Sequence, residues 1–255
     1  MIDAHIHLHE YENSLLIEQI EKWQDAGIQH VIAVANDLKS SYQTLELQRK
    51  FPRFVFACIG FHPEYALPPQ RDIIEWKQLV KVERKRISAI GEIGLPHYQL
   101  PKLADSLEHY QEFLYELFTV AHSYHLPVAL HAVHDKAELV FQLLQQVGIE
   151  QAHFHWLKAT SSVLQKIIAA GYYISITPEV CYRKRDVQLA KQVPIKQLLI
   201  ETDGPWLFDE RFAAEQTTPL FLHEIVKTLA EIKAMTTCDI AKQTAKNTKA
   251  CYGIK

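Results

Sequence analysis

The sequence lacks most of what would mark a secreted, membrane-bound or nucleic-acid-coating protein. Its four cysteines, Cys58, Cys181, Cys238 and Cys251, are scattered and show no C-x-x-C spacing. That usage excludes a dense disulfide framework and points to a reducing, cytoplasmic setting. No apolar run is long enough to span a bilayer. Acidic and histidine residues follow Met1-Ile2 at once, so no signal peptide is read and no membrane partner is expected. The formal charge is only −3, which argues against binding nucleic acid by bulk surface charge but leaves room for a local basic groove. The basic run Lys77–Arg86 reads as a solvated helix face and its following turn. There is no linker, no low-complexity tract and no repeat beyond a strand–helix alternation. No obligate protein partner is evident.

What is present is ordinary globular material: 255 residues, 48% hydrophobic and 22% charged, enough to bury a substantial core. Short apolar runs recur and predict strands at Ile2–His7, His30–Ala35, Phe54–Ile59, Ser88–Ile93, Pro127–His131, Ala152–His155, Tyr172–Ile176 and Gln197–Glu201. Several lack polar alternation, as strands buried on both faces do. Helical spacing lies between them, at Leu15–Ala26, Leu103–Tyr124, Lys136–Val147 and Ser161–Ala170. Asp135 with Glu138 resembles a capping box for the third of these, and Gly148 closes it. Thr218-Pro219 reads as the start of a helix running to about Ala234. Strands alternating with helices predict a parallel sheet, and eight of them favour a closed (β/α)8 TIM-type barrel, whose usual size is about 250 residues. The whole of 1–255 is read as one domain.

The first strand carries the chemistry. Alternation puts His5, His7 and His9 on one side and Ile2, Ala4, Ile6 and Leu8 on the other, packed under helices. Clustered neutral imidazoles suit a divalent metal, although His-x-His alone is weak evidence. The other strands add to it. Glu92 ends strand four, His131 ends strand five, His153 and His155 lie on strand six, and Asp203 follows strand eight. Most of these fall at carboxyl ends, where barrel active sites are built. With one strand-six histidine, the set is four imidazoles and two carboxylates. One metal takes about four to six ligands, so six on one ion would leave no place for substrate. Two metals sharing a carboxylate, about 3.5–4 Å apart, would leave several open positions. Such ligands suit Zn, Mn or Fe, and Mg less well; the ions' identity stays open.

Six segments in order, IDAHIHL (Ile2–Leu8), GFHPEY (Gly60–Tyr65), IGEIGL (Ile90–Leu95), LPVALHA (Leu126–Ala132), the His155 stretch running to GYYISI (Gly171–Ile176) and ETDGPWL (Glu201–Leu207), resemble the TatD family of metal-dependent hydrolases, within the amidohydrolase-like barrels. The resemblance spans nearly the whole chain. It implies two divalent ions (Zn, Mn or Mg), with His5, His7 and Asp203 on one, His131 and His155 on the other, and Glu92 bridging. It selects His155 over His153 by the distance to Gly171, with His153 deeper in the barrel or supporting; the reverse assignment stays open. It implies hydrolysis of phosphodiesters, typically as a deoxyribonuclease acting on nucleic acid or a small phosphoester through water activated at the metals. Asp203 and Glu92 would be catalytic, and His62 would contact the phosphate or leaving group. His9, Glu10, Tyr11, His97 and His134 are read as pocket wall. Asp3 either orients a ligand imidazole or serves a cap or turn, and Glu201, facing the same way as Asp203, is read as supporting a ligand or contacting substrate. Three positions depart from the family pattern: Pro96 where Asp is usual, Ala132-Val133 where a small residue and Arg are usual, and Lys158-Ala159 where Ser-Gly is usual. They alter the rim that holds substrate and touch no predicted ligand. Ester or amide hydrolysis, such as deacylation of an aminoacyl-tRNA, is the alternative within enzymes. A catalytically silent metal-binding barrel is the alternative outside them.

Overall fold

The apolar runs become strands because each is covered on one side by helices and on the other by the barrel interior. The computed structural model describes residues 1–254. Eight parallel strands, β1 (Ile2–Ile6), β2 (His30–Val34), β3 (Val55–Ile59), β4 (Ile87–Gly94), β5 (Val128–Val133), β6 (Ala152–Lys158), β7 (Tyr173–Ile176) and β8 (Leu198–Ile200), pair in sequence order. The helices are α1 (Leu16–Asp25), α2 (Leu38–Lys50), α3 (Gln70–Glu83), α4 (Leu107–Ser123), α5 (Lys136–Val147), α6 (Ser161–Ala169), α7 (Lys184–Gln192), α8 (Leu222–Lys233) and α9 (Thr237–Tyr252). This is the expected (β/α)8 barrel. No helix among the described residues is long and apolar enough to cross a membrane.

The seam between β8 and β1 closes through the predicted site. Asp203 N–H donates to the His5 carbonyl at 3.0 Å and His7 N–H to the Gly204 carbonyl at 2.8 Å. Below them the fully buried Asp3 accepts from Thr202 N–H at 3.0 Å and from Thr202 Oγ1 at 2.5 Å. Asp3 therefore ties β1 to the chain after β8, a long-range role in place of the cap or turn expected of it.

Strict alternation along β1 fails. The register with β2 shifts between Asp3 and Ile6, and a bulge of this kind rotates the residues after it by one face. Ile2 and Ala4 pack in the interior cluster with Ile32, Val34, Cys58, Ala89, Ala129 and Leu199. Only Ile6 and Leu8 join the outer core beneath the helices. Small side chains dominate that interior layer. Cys251 and Tyr252, at the end of α9, complete it.

Caps fix the helix ends. Asp37 and Ser40 form a capping box on α2, and Thr160 and Thr236 cap α6 and α9. Gly148 ends α5 in the left-handed conformation, as predicted. The capping box predicted at Asp135 does not form: its backbone is already helical, and its carboxylate is drawn to His97 and Lys136. Thr218 caps a short 3-10 turn that leads into α8.

Candidate metal centre

Strand β4 sets the middle of the site. Gly94 lets it lie close to β5, since a Cβ there would overlap the His131 carbonyl oxygen. Two residues earlier, Glu92 is fully buried. Its two oxygens face different partners. Oε2 lies 3.1 Å from His5 Nε2 and 3.3 Å from His7 Nε2. Oε1 lies 3.0 Å from His131 Nδ1, 2.8 Å from His155 Nε2 and 3.4 Å from His62 Nε2. Asp203 closes the first group, with Oδ1 3.5 Å from both His5 Nε2 and His7 Nε2. Its backbone has φ of +52°, a conformation uncommon outside glycine that the surrounding hydrogen bonds hold in place. All seven predicted site residues thus meet at one mouth.

The groups behind the imidazoles set their orientation. His131 turns Nε2 outward to Glu64 Oε1 at 3.2 Å, and Glu64 also accepts from the backbone N–H groups of His97, Tyr98 and Gln99. His155 turns Nδ1 toward Glu201 Oε1 at 3.5 Å. Glu201 accepts from Trp156 N–H at 2.9 Å and faces His153 Nε2 at 3.5 Å. His153 lies in the interior with Nδ1 2.6 Å from Tyr252 Oη. Glu64 and Tyr252 were not found in the sequence. Glu64 did leave a signal, an acid two residues beyond His62 on the same rim. Tyr252 left none.

The carboxylates and imidazoles of the centre shift one another's titration in opposite directions. Burial alone would raise the Glu92 carboxyl, but His155, His62, His5 and the His131 hydrogen bond hold it well below the ordinary carboxylate range. Asp203 is also held low, against its burial, chiefly by the nearby His7 imidazole and then by His155 and His5. Burial would lower His7, but Asp203 and Glu92 raise it to about 10. His131 and His155 are likewise raised by carboxylates against their burial. His5 goes down, by burial and by the charge of His155. Burial, against the pull of Glu92 and with help from His131 and His7, takes His62 to about 3.

The residues present fit divalent cations. His155 Nε2 and Asp203 Oδ1 are buried without a hydrogen-bond partner although charged groups stand close by. Their lone pairs converge without donor geometry, as ligands to a shared cation do. Donor atoms of His5, His7 and Glu92 lie within 4.8 Å of one another, as do those of His62, Glu92 and His131. His, Glu and Asp together are a donor set for borderline divalent ions.

The mouth opens into a cavity of ≈ 1030 Å³ that includes Glu10, Val133, Lys158 and Trp206. The predicted wall residues divide. Tyr11 is buried beneath the rim and donates to the Thr217 carbonyl. His97 and His134 pack on each other, ring centroids 4.5 Å apart, outside that lining. His9 lies beyond the end of β1, in a 3-10 turn against Asn36.

Over residues 2–253 the chain matches the family described as TatD related DNase. It is 31% identical over 260 residues to a metal-dependent hydrolase of Haemophilus influenzae, covering 99% of each protein. It is 26% identical to a human deoxyribonuclease, over 97% of this chain and 92% of the relative. Among solved structures, a TatD homologue from Escherichia coli superposes with a TM-score of 0.88 at 21% identity, over 100% of this chain and 98% of that one. That last likeness carries the fold. The sequence relatives together with the His/Glu clusters support use of divalent metal.

Proposed function

The chain belongs to the family of TatD-related DNases, and from that membership we propose that it is a metal-dependent phosphodiesterase that hydrolyses DNA with two divalent cations. His5, His7 and Asp203 would hold one cation, His131 and His155 the other, and Glu92 both. The division of Glu92 carries this reading: one oxygen belongs to the His5–His7 pair and the other to the His131–His155 pair. Residues 1–255 act as one domain on this reading. Four unpaired cysteines accord with a cytoplasmic setting.

Bound there, divalent cations supply Lewis acidity, lowering the pKa of a water and offsetting charge on phosphoryl oxygens. The chain's own groups do the rest. Asp203, kept ionised by its histidine neighbours, would hold a cation through Oδ1 and leave its other carboxylate oxygen to take a proton from the attacking water. His62 accepts from the Glu64 backbone N–H at Nδ1, so the neutral ring carries its proton on Nε2. With a pKa near 3 the ring does not act as a proton-transferring acid at neutral pH; Nε2–H instead hydrogen-bonds the departing oxygen or a phosphoryl oxygen. Glu64 and Glu201 hold His131 and His155 with the correct nitrogen turned inward.

The test is cleavage of end-labelled single-stranded DNA with Mn or Zn added, with and without chelator, beside ester and amide substrates. Metal-dependent scission of DNA that Glu92→Ala abolishes supports the proposal. Activity confined to esters or amides, or full DNA cleavage by Glu92→Ala at saturating metal, ends it.

A further inference from the structure

One wall of the mouth has no part in holding metal. Trp156 directly follows His155, and Trp206 lies three residues beyond Asp203, its backbone N–H bonded to the Asp203 carbonyl at 3.0 Å. The two indoles meet edge to face with centroids 5.8 Å apart. Trp156 is fixed by its own indole N–H, which donates to Glu179 Oε2 at 2.9 Å. Trp206 is 59% exposed and Tyr98 46%, exposures that solvent alone does not favour for such large rings beside a buried polar centre.

A cation stands among these rings. Lys158 Nζ lies 4.5 Å above the Trp156 ring and 2.8 Å from Tyr98 Oη. Among the described residues no carboxylate comes within 4.0 Å of it, whereas the lining arginines are neutralised. Arg183 pairs with Glu179 and Asp209, and Arg185 with Glu179 and Asp186. Lys158 is thus a positive charge held in place by aromatic contacts and open toward an anion in the same cavity.

We infer that Trp206, Trp156, Tyr98 and Lys158 form a nucleobase subsite, in which the base adjoining the cleaved phosphodiester stacks on the open face of Trp206 and its phosphate meets Lys158. The inference rests on the nuclease reading and deepens it: the subsite takes one base splayed onto Trp206 with its own phosphate at Lys158, as a single-stranded end that carries its bases presents them. Stacking of this kind tolerates any base, since each has a π-face.

The experiment compares a single-stranded oligodeoxynucleotide with the same strand bearing abasic tetrahydrofuran residues at its ends. Both are followed by cleavage with Mn and by fluorescence anisotropy of the protein in chelator at low salt. Removing the terminal bases should lower wild-type kcat/KM and affinity about tenfold. Trp206→Ala should show that same loss on the base-bearing strand and no further loss on the abasic one, with Trp206→Phe restoring most of it. Lys158→Ala should weaken both strands alike and reduce the slope of log affinity against log salt by about 0.7. Trp206→Ala retaining the wild-type preference for bases, or Lys158→Ala leaving the salt slope unchanged, overturns the subsite. If the wild type cleaves no strand with any divalent cation, the nuclease reading falls, and the anisotropy series still decides the subsite.

Discussion

Replacing Glu64 tests whether the metal centre depends on what lies behind it. Glu64→Ala removes acceptors for His131 Nε2 at 3.2 Å and for the N–H groups of His97, Tyr98 and Gln99 at 2.8, 3.1 and 2.7 Å. The imidazole contact matters most to the centre. With Nε2–H held by Glu64, His131 Nδ1 keeps its lone pair for the Glu92 side; released, the ring can place the proton on either nitrogen. Outer partners of this kind are worth about 10–100-fold in metal affinity or activity, which corresponds to about 1.4–2.7 kcal/mol. The three backbone bonds lie in a partly exposed loop where water substitutes, so stability should fall by about 1–3 kcal/mol and leave the barrel folded. Glu64→Gln keeps an acceptor oxygen where His131, His97 and Tyr98 converge and gives up the Gln99 bond, so its loss should stay below about fivefold. Competition with a chromophoric chelator gives the Zn or Mn affinity, and the rate at saturating metal gives the chemistry. Glu64→Ala binding metal within about twofold of wild type, or Glu64→Gln behaving no better than Glu64→Ala, would refute the argument.

Other consequences can be measured alongside it. Asp203→Asn should abolish turnover while near-ultraviolet circular dichroism stays native, because the αL backbone and both seam bonds are retained. In the metal-free protein His7 is raised to about 10, and His131 and His155 are shifted upward by their carboxylate neighbours, so a cation competes with protons for these rings. Cation affinity should therefore climb from acid toward alkaline pH, with proton release seen by calorimetry in buffers of different ionisation enthalpy. By linkage, the His7 contribution to metal-free stability is complete below its ordinary value of 6.5 and is lost as pH rises through about 10. Metal-loaded protein should not show that loss in thermal melts. Tyr252→Phe, which strips the partner from His153 Nδ1 in the interior, should cost about 1–3 kcal/mol in urea unfolding; an unchanged midpoint would mean that the hydroxyl contributes nothing.

The barrel was legible because its strands are buried on both faces and so read as nearly continuous apolar runs, eight times over. Helices whose buried face is polar were not. In α9 the inward residues include Thr244, Asn247 and Thr248. Asn247 Nδ2 donates to the carbonyls of Ile195 and Leu198, and both threonine hydroxyls donate back to their own helix. Hydrogen bonding replaces apolar contact there, so the 3.6-residue period of hydrophobic residues never appears. The same limit applies at the site. Residues that point into the mouth come from strand ends and declare themselves by position, and even the bulge in β1 left His5 and His7 facing Glu92. Of the residues that act through those imidazoles, Glu201 and Glu64 declare themselves only by lying near that rim, and Tyr252 does not at all. Glu64 reaches His131 across 67 positions and Tyr252 reaches His153 across 99, separations at which no local pattern links a donor to its acceptor. A change at Glu64 or Tyr252 would therefore alter the chemistry while every motif that identifies the family stayed intact. For that reason, an intact set of His5, His7, Glu92, His131, His155 and Asp203 is necessary for the proposed activity but does not by itself establish it.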